Sequence, residues 1–254
     1  MSDLSDQVAL VTGGAGGLGR ATCLALAERG VEVVVCDVDE AGGRAVAEQV
    51  GGHFVRADVS TLEDNRAAVA FVEQTCGGLD LVHLNAGVMS GCGIGEDFDP
   101  DLYRRAMSIN LDGVVFGTHA ALPALKRRGG GAIVATASLA GLIGVPLDPI
   151  YAANKHAVVG LARSLGPALA LDGIRFNAVC PGFAESAMVV GVRDGLAAAG
   201  IPIIPAEQVA GTVVHLFSSP EIEGECWFVQ AGRESAAFAF RGIPGPRASE
   251  VPAP

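Results

Sequence analysis

The hydrophobic positions fall into short continuous runs that alternate with longer segments of helical periodicity. A run that is apolar at successive positions is typical of a β-strand covered on both faces. Such runs lie at residues 8–11, 31–36, 54–57, 79–84, 132–135, 175–179 and, more weakly, 226–229. Helical patterns lie between them, at residues 18–29, 40–50, 61–76, 100–128, 150–171 and 206–218. This alternation predicts one doubly wound α/β domain, in which helices flank both faces of a parallel sheet.

Two regions depart from the alternation. Residues 184–205 contain glycines at 191, 195 and 200 and prolines at 202 and 205, a composition typical of short helices on mobile connections. From residue 233 onward the chain has prolines at 244, 246, 252 and 254, which predict a tail that is not helical at its end. Such a tail is either disordered or wraps over a neighbour. No repeat or linker divides residues 1–232, so we assign them to a single domain and residues 233–254 to the tail.

Composition and charge exclude several classes of partner. Half of the 254 residues are hydrophobic, which is enough for a substantial core. The formal net charge is −11, and because an acidic surface repels phosphate backbones we expect no nucleic-acid partner. The most apolar stretch, residues 132–147, is interrupted by Thr136, Ser138 and two glycines. It is also shorter than the ~20 residues that a membrane span requires, so we expect no membrane segment.

The cysteines and histidines show no spacing typical of a metal site. Six cysteines, at 23, 36, 76, 92, 180 and 226, form no C-x-x-C pair, which predicts neither a zinc site nor a disulfide framework. The histidines at 83, 119, 156 and 215 are interpreted as packing or surface residues, and we expect no metal. Residues 1–7 lack the pattern of a signal peptide. Together these observations predict a reduced, cytoplasmic compartment.

A glycine-rich segment follows the first strand directly and opens the first helix. It reads Thr12-Gly13-Gly14-Ala15-Gly16-Gly17-Leu18-Gly19. Glycines let backbone N–H groups approach a pyrophosphate, and the N-terminus of a helix adds partial positive charge. The segment therefore predicts a dinucleotide site at Gly13, Gly16, Gly17, Leu18 and Gly19. A plain flexible turn is the alternative, since the spacing is not the G-x-G-x-x-G of other dinucleotide folds.

Acidic residues follow the second and third strands. Asp37 ends the second strand roughly 20 residues beyond the glycines, where a carboxylate can accept hydrogen bonds from the adenosine ribose. A 2′-phosphate would meet this carboxylate with no basic residue at Gly16 or Val38 to offset it, so we expect NAD rather than NADP. The alternative for Asp37 is a turn residue at a strand end. Asp58 and Val59 could flank the adenine, although Asp58 could equally cap the next helix.

Three polar residues form a candidate catalytic group. Tyr151 and Lys155 are four positions apart in a helical segment, so both side chains emerge from one face. A tyrosine with an ordinary pKa near ~10 is a poor base at neutral pH. We expect the ammonium of Lys155, with a positively charged nicotinamide, to lower the pKa of Tyr151 so that it exchanges the substrate proton. Ser138 ends the fifth strand, where its hydroxyl can orient the substrate oxygen.

In order and spacing, these segments resemble the short-chain dehydrogenase/reductase family over residues 6 to about 232. The matching pieces are TGGAGGLG at 12–19, Asp58, NAG at 85–87, Asn110, Ser138, YAANK at 151–155 and PG at 181–182. The resemblance implies a Rossmann-like fold of seven parallel strands in the order 3-2-1-4-5-6-7. It also implies that Lys155 binds the nicotinamide ribose, that Asn110 supports a water-linked proton path, and that the protein is a homotetramer or homodimer.

The resemblance extends to further positions. Cofactor contacts are expected from Asn85, Ala86, Gly87, Pro181, Gly182, Phe183 and Ser186, besides Tyr151 and Lys155. Ser186 stands in for a threonine that usually reaches the nicotinamide, and Leu84 replaces a usual asparagine. The substrate pocket is expected under a lid at about 184–205, lined by Met89, Ser90, Ser138, Leu139, Val145, Pro146, Tyr151 and Phe183. Since most of these are apolar, we expect a largely uncharged small-molecule alcohol or ketone.

Three functions are compatible with these patterns. The leading interpretation is an NAD-dependent alcohol dehydrogenase or ketone reductase. A redox-sensing protein that binds NAD(H) without turnover would not require Tyr151. An NADP-dependent ketoreductase would bind NADPH more tightly despite Asp37.

Overall fold

One mixed sheet forms the centre of the molecule, seen in a computed structural model that describes residues 2–242. Its strands are β1 Val8–Thr12, β2 Glu32–Asp37, β3 His53–Arg56, β4 Leu81–Leu84, β5 Gly131–Thr136, β6 Ile174–Pro181, β7 Cys226–Val229 and β8 Ala236–Ala237. Their order is β3-β2-β1-β4-β5-β6-β7-β8. Strands β1 to β7 pair in parallel, and β8 pairs antiparallel with β7. The predicted α/β Rossmann-like class is confirmed, with one short strand more than the seven expected.

Helices cover both faces of the sheet. They are α1 Gly17–Ala27, α2 Glu40–Val50, α3 Leu62–Cys76, α4 Pro100–Met107, α5 Gly113–Arg128, α6 Pro149–Leu169, α7 Ala187–Val190, α8 Arg193–Ala198 and α9 Ala206–Ser218. Helices α3, α5 and α6 contribute to one apolar cluster, and α1, α2 and α9 to the other. Neighbouring strand residues enter opposite clusters, as Val34 and Val35 of β2 do. This explains why the strands are apolar at successive positions.

The segment 100–128 is not the single helix that its pattern predicts. A π-helical turn, Ser108–Asp112, separates α4 from α5. Such turns are rare and occur mostly where a side chain needs a special position. Here the turn carries the fully buried Asn110, so the requirements of the tertiary structure override the local helical pattern.

The described part of the tail is attached to the sheet. After residue 232 the chain turns back to form β8, and the N–H of Phe238 donates to the oxygen of Cys226 at 2.7 Å. The guanidinium of Arg163 lies 4.0 Å from the ring centre of Phe240. The four tail prolines lie outside the described residues, and the division of the chain at residue 232 stays a prediction. Within residues 2–242, no helix has the length and apolarity needed to cross a membrane.

Candidate active site

The carboxyl ends of β1, β4, β5 and β6 bring the predicted site residues to one edge of the sheet. Parallel strands present their carboxyl ends together, and open α/β sheets bind ligands at this edge. The glycine-rich loop follows β1, the Asn85–Gly87 segment follows β4, Ser138 follows β5, and Gly182 follows β6. Segments far apart in sequence thus meet around one cleft.

Glycine is required in the loop after β1 because the backbone is crowded there. Gly13 and Gly17 have positive φ angles of 63° and 52°, which favour glycine. A Cβ at Gly19 would lie 2.0 Å from the oxygen of Gly13, so no other residue fits without displacing the loop. Helix α1 begins after Gly16 with no side-chain cap. Its first backbone N–H groups are therefore left for another acceptor, as a phosphate site requires.

Asn85 fastens this loop to β4. Its Nδ2 donates to the oxygens of Thr12 and Gly13, at 3.1 Å and 3.2 Å. Its backbone N–H donates to Thr12 Oγ1 at 2.9 Å, and its Oδ1 accepts from Thr136 Oγ1 at 3.1 Å. The loop and the strand ends are therefore held as one unit by a single residue.

Asp37 is placed beside the loop. Its Oδ2 accepts from the N–H of Ala15 at 2.9 Å, and its Oδ1 accepts from the N–H of Asp39 at 3.0 Å. An ionised carboxylate has about four lone-pair positions, so two remain for other donors. Val38 next to it is largely exposed. The carboxylate thus both shapes the turn and remains able to accept hydrogen bonds.

The structure separates the two interpretations of Asp58. The cap of α3 is Thr61, whose side chain accepts from the N–H of Asp64. Asp58 instead accepts from the N–H of Ser60 at 2.9 Å, so its interpretation as the helix cap is wrong. Val59 is buried beneath the start of α5. A Cβ at Gly113, the first residue of α5, would lie 3.0 Å from the Val59 side chain. Contact of Asp58 and Val59 with an adenine stays a prediction.

Tyr151 and Lys155 occupy the first turns of α6 and face the site. The Nζ of Lys155 lies 5.6 Å from the centre of the Tyr151 ring. Lys155 is only 2% exposed, and its ammonium donates to the oxygen of Thr136 at 2.8 Å. The lysine therefore points beneath the phenol rather than into bulk solvent, as the predicted pairing requires.

The charges of the protein alone do not lower the pKa of Tyr151. Burial raises the pKa of this phenol above its ordinary value, a hydrogen bond with Ser138 lowers it, and the charge of Asp148 raises it. Burial also lowers the pKa of Lys155 to about 8. Burial is thus the largest influence on the phenol of Tyr151, and the combined effect of Lys155 and a positively charged nicotinamide on its pKa stays a prediction.

Ser138 is anchored at the end of β5. Its hydroxyl donates to the oxygen of Pro181 at 3.3 Å and accepts from the N–H of Ala140 at 3.1 Å. Because it also forms the hydrogen bond that lowers the pKa of Tyr151, the two hydroxyls are adjacent. The arrangement can hold one substrate oxygen between Ser138 and Tyr151.

Asn110 fixes the backbone after β4. Its Nδ2 donates to the oxygen of Val88, and its Oδ1 accepts from the N–H of Val88, both at 2.8 Å. A Cβ at Gly87 would lie 3.1 Å from Asn110 Oδ1 and 3.4 Å from the Nζ of Lys155. Glycine at 87 thus lets both side chains approach the chain closely. The side chain of Asn110 is used to position this segment, and its role in a proton path stays a prediction.

Two buried polar residues complete the site and were not predicted as members of it. Asp148 precedes Pro149 and caps α6 by accepting from the N–H of Tyr151 at 2.8 Å. A capping aspartate before a proline is a known helix-start signal, so the sequence did carry this information. His83 is fully buried, and its Nε2 forms a 2.9 Å hydrogen bond with Thr136 Oγ1. Burial lowers the pKa of His83 to about 3, so this histidine is neutral in the folded protein.

The structure gives the surroundings of several residues predicted near the substrate or the nicotinamide, and their part in a substrate pocket stays a prediction. Met89 and Phe183 are partly exposed, at 42% and 44%. Leu139 packs near Gly182, where a Cβ would come within 3.3 Å of its side chain. Ser186 donates its hydroxyl to the oxygen of Ala184 at 3.1 Å, and its Cβ lies beside Gly17 of the glycine-rich loop. Its contact with a nicotinamide stays a prediction.

The lid segment is anchored at both ends. Ala184 and Ile204 form a parallel bridge, and the N–H of Glu185 donates to the oxygen of Ile204 at 2.9 Å. The short helices α7 and α8 lie between these two ends. Met188 on α7 places its Cε 3.7 Å from the position that a Cβ at Gly87 would take. Met188 therefore reaches across the cleft, although the sequence did not single it out.

Comparisons with known proteins agree with this geometry. The sequence matches the family profile described as short chain dehydrogenase over residues 7–197. It is 38% identical over 190 residues to a cyclohexanol dehydrogenase of Acinetobacter sp. strain SE19, covering 73% of this chain and 76% of that protein. It is 38% identical over 198 residues to a 2,5-dichloro-2,5-cyclohexadiene-1,4-diol dehydrogenase of Sphingobium indicum, covering 76% and 79%. A solved short-chain type dehydrogenase/reductase from Mycobacterium marinum has a TM-score of 0.85 at 30% identity, covering 91% of this chain and 96% of that one.

Proposed function

Because this chain belongs to the short-chain dehydrogenase/reductase family, and is thus an oxidoreductase acting on alcohols, we propose that it transfers hydride between NAD and a secondary alcohol or ketone. The observation that carries the proposal is the arrangement of Ser138, Tyr151 and Lys155 beside the glycine-rich loop. Two hydroxyls there can hold one oxygen, and a buried ammonium lies beneath them.

The residues around the loop fit a dinucleotide. The uncapped start of α1, at Gly16 and Gly17, would hold the pyrophosphate, and Asp37 would accept hydrogen bonds from the adenosine ribose. NAD is favoured over NADP because a 2′-phosphate would meet the carboxylate of Asp37. The ammonium of Lys155 would bind the nicotinamide ribose. When bound, NAD supplies the hydride acceptor or donor and, in its oxidised form, a positive charge that lowers the pKa of Tyr151.

Tyr151 exchanges the substrate proton in this mechanism. During oxidation its phenolate accepts the proton of the alcohol, and during reduction its phenol returns a proton to the carbonyl oxygen. Ser138 donates its hydroxyl to that oxygen and fixes its distance from Tyr151. Asn110 acts one step away by holding the segment that begins with Asn85 in place. Each role depends on the exclusion of water from the cleft, and Met188, which lies near Gly87, would contribute to it.

We assign the substrate to uncharged, largely lipophilic secondary alcohols and their ketones. The residues proposed to line the cleft, Met89, Leu139, Val145 and Phe183, would give it an apolar surface. The relatives with 38% identity are named for ring alcohols, a cyclohexanol and a cyclohexadienediol. A six-membered ring carrying a hydroxyl group fits the same description, so alicyclic alcohols are the first substrates to test.

Tyr151→Phe tests the assignment. Removal of the phenolic oxygen is expected to reduce turnover of cyclohexanol with NAD⁺ by about 10²–10⁴-fold, the range that a general acid–base contributes. Binding of NADH, followed by fluorescence, should stay close to that of the unmodified protein. Tyr103→Phe is the matched control, because Tyr103 is the other tyrosine and lies on α4, where it is partly exposed. Unchanged turnover in Tyr151→Phe would refute the role of this residue.

The same measurements distinguish the alternatives. If the unmodified protein binds NADH but oxidises no member of a broad panel of alcohols, a redox-sensing role replaces the enzymatic one. If it binds NADPH more tightly than NADH, the assignment of NAD from Asp37 is wrong. Oxidation of alicyclic alcohols with a preference for NAD⁺ supports the whole proposal.

We further propose a homodimer or homotetramer in the cytoplasm. Apolar side chains of Phe98, Leu102, Tyr103 and Val115 are exposed on α4, α5 and the segment before them, which supports association of copies through these helices. All six cysteines are free thiols, which supports a reducing compartment. Light scattering after size-exclusion chromatography measures the assembly.

A further inference from the structure

Three side chains that the proposed reaction does not use meet at the amino edge of the sheet. Glu32 begins β2, His53 begins β3, and Cys76 ends α3. His53 Nε2 lies 3.1 Å from Glu32 Oε1, and the potential ligand atoms of all three residues lie within 4.8 Å of one another. Because Tyr151 lies at the carboxyl edge, this group is separate from the candidate active site.

Regular backbone structure fixes the positions of the three residues. The N–H of Glu32 donates to the oxygen of Gln7 at 2.8 Å, and the β2–β3 register pairs Val34 with His53. Helix α3 ends directly after Cys76, where Gly77 adopts a left-handed conformation with a φ of 79°. Each of the three side chains therefore projects from the end of a strand or helix that is packed on the core. Rotation of the side chains alone would bring their ligand atoms closer together.

We propose that Glu32, His53 and Cys76 bind a divalent metal ion of the Zn²⁺ type, with water as the fourth ligand. A carboxylate oxygen, an imidazole nitrogen and a thiolate are all Zn²⁺ ligands, whereas Mg²⁺ and Ca²⁺ prefer oxygen alone. Bonds of about 2.0–2.3 Å place the ligand atoms of a tetrahedral site about 3.3–3.7 Å apart. From separations of at most 4.8 Å, side-chain rotation can close such a site.

Binding of a cation to Cys76 would displace the proton of its thiol. Burial, followed by the hydrogen bond and the charge of Glu32, raises the pKa of Cys76 to about 12. With this pKa the thiol is protonated at neutral pH when no cation is bound. A metal ion would take the place of that proton, so binding should release about one proton per ion at neutral pH. Glu32 and His53 have side chains that are 44% and 40% exposed, which leaves an entry path for the ion.

The sequence predicted no metal site because metal motifs are recognised by close spacing. His53 lies 21 residues after Glu32, and Cys76 lies 23 residues after His53. Only the parallel pairing of β2 with β3, and the return of α3 to the same edge, bring the three residues together.

Titration of the full-length protein with Co²⁺ tests the proposal, because Co²⁺ takes the same ligands and reports a bound thiolate by its near-ultraviolet charge-transfer band. We expect saturation at one ion per chain, loss of the band when Zn²⁺ is added, and release of about one proton. Free Zn²⁺ at a hundredfold excess over its Kd should raise the melting temperature by about 5 °C. Oxidation of cyclohexanol should not change, since the site lies far from Tyr151.

Variants identify the ligands. Cys76→Ser should abolish the charge-transfer band and the thermal shift, and His53→Gln should weaken binding at least tenfold. Cys92→Ser is the matched control, because Cys92 is the other cysteine that is not fully buried. Melting temperatures measured without metal confirm that each variant folds. A band that persists in Cys76→Ser, disappears in Cys92→Ser, or is absent from the unmodified protein would overturn the proposal.

Discussion

The carboxylate of Asp148 accepts two hydrogen bonds from Ser90, one from the hydroxyl at 2.5 Å and one from the backbone N–H at 3.0 Å. The same carboxylate accepts the N–H of Tyr151 at 2.8 Å. One buried side chain thus joins the segment after β4 to the first turn of α6. Since Asn110 fixes the same segment at Val88, the first turn of α6, which carries Tyr151, is tied to a segment that is held at two points.

Asp148→Ala should therefore reduce turnover without removing a group that touches the substrate. A displacement of about 1 Å at a reacting group can lower the rate about 10²-fold, and we expect a loss of kcat of that order with NADH binding retained. Ser90→Ala removes only one of the bonds and should have a smaller effect. Steady-state kinetics with thermal melts measure both changes. If Asp148→Ala lowers the stability but leaves kcat unchanged, Asp148 acts only as a helix cap and does not position Tyr151.

Lys155→Met should make the protein more stable while abolishing turnover. Burial lowers the pKa of Lys155 from 10.5 to about 8. Below pH 8 the lysine is charged in both the folded and unfolded states, and its burial costs about 3 kcal/mol. That cost declines as the pH rises from 8 to 10.5. Methionine avoids it but leaves the oxygen of Thr136 without its donor, so we expect a net gain of about 1–2 kcal/mol at pH 7.

The gain is measured by urea unfolding at pH 7. Lys126→Met is the matched control, because Lys126 is the other lysine and lies half exposed beside Asp172. Its substitution should change stability and turnover little. A Lys155→Met protein that is less stable than the unmodified one would show that the ammonium contributes more than its burial costs.

His83 should make the folded protein sensitive to acid. Its pKa is about 3 in the folded state against 6.5 as the ordinary value, so the unfolded chain takes up the proton first as the pH falls. The free energy of unfolding is unaffected above pH 6.5 and falls by about 1.4 kcal/mol per pH unit below it, or about 2 kcal/mol at pH 5. Urea unfolding at pH 7.5 and pH 5 measures the difference.

His83→Gln separates this contribution from other titrating groups. Glutamine can still bond to Thr136 but does not titrate, so the loss between the two pH values should shrink by about 2 kcal/mol. His119→Gln, a change at an exposed histidine on α5, should leave the loss unaltered. If the two variants lose the same free energy of unfolding between pH 7.5 and pH 5, His83 takes up its proton while the protein stays folded.

Asp37→Ala should weaken NADH binding and reduce the preference for NADH over NADPH. The substitution removes the carboxylate that would accept hydrogen bonds from the ribose, and it also removes the hydrogen bond from the N–H of Ala15. Hydrogen bonds to a charged group contribute about 1.5–3 kcal/mol, so we expect Kd for NADH to rise at least about tenfold. Asp39→Ala, which removes the cap of α2 but leaves Asp37, is the control. Fluorescence titration with both cofactors gives the ratio.

The class of fold followed from the sequence because its strands are buried on both faces. Val34 and Val35 enter opposite apolar clusters, so the run in β2 is continuous and easily recognised. The π turn at Asn110 and the two-residue strand β8 have no comparable pattern. The turn serves a tertiary contact with Val88, and β8 exists only through its pairing with β7. Local periodicity contains neither kind of information.

The candidate site was predictable where it depends on spacing and not where it depends on burial. Helical spacing placed Tyr151 and Lys155 on one face, as the structure has them. The raised pKa of Tyr151 follows from loss of hydration, which no spacing reveals. The bond of His83 to Thr136 likewise joins neighbouring strands that are more than 50 positions apart, so only the folded chain shows it.

The two-residue strand β8 has a consequence for the behaviour of the protein at high concentration. An outer strand with unpaired backbone groups is a template on which another molecule can extend the sheet. By pairing with Trp227 and Phe228, β8 occupies the backbone hydrogen-bonding groups of β7. Because β8 has only two residues, it offers few such groups to a strand of another molecule. Cleavage by a protease between Gly232 and Ala236 would remove this cover, so the nicked protein should aggregate edge to edge even while its cleft stays intact.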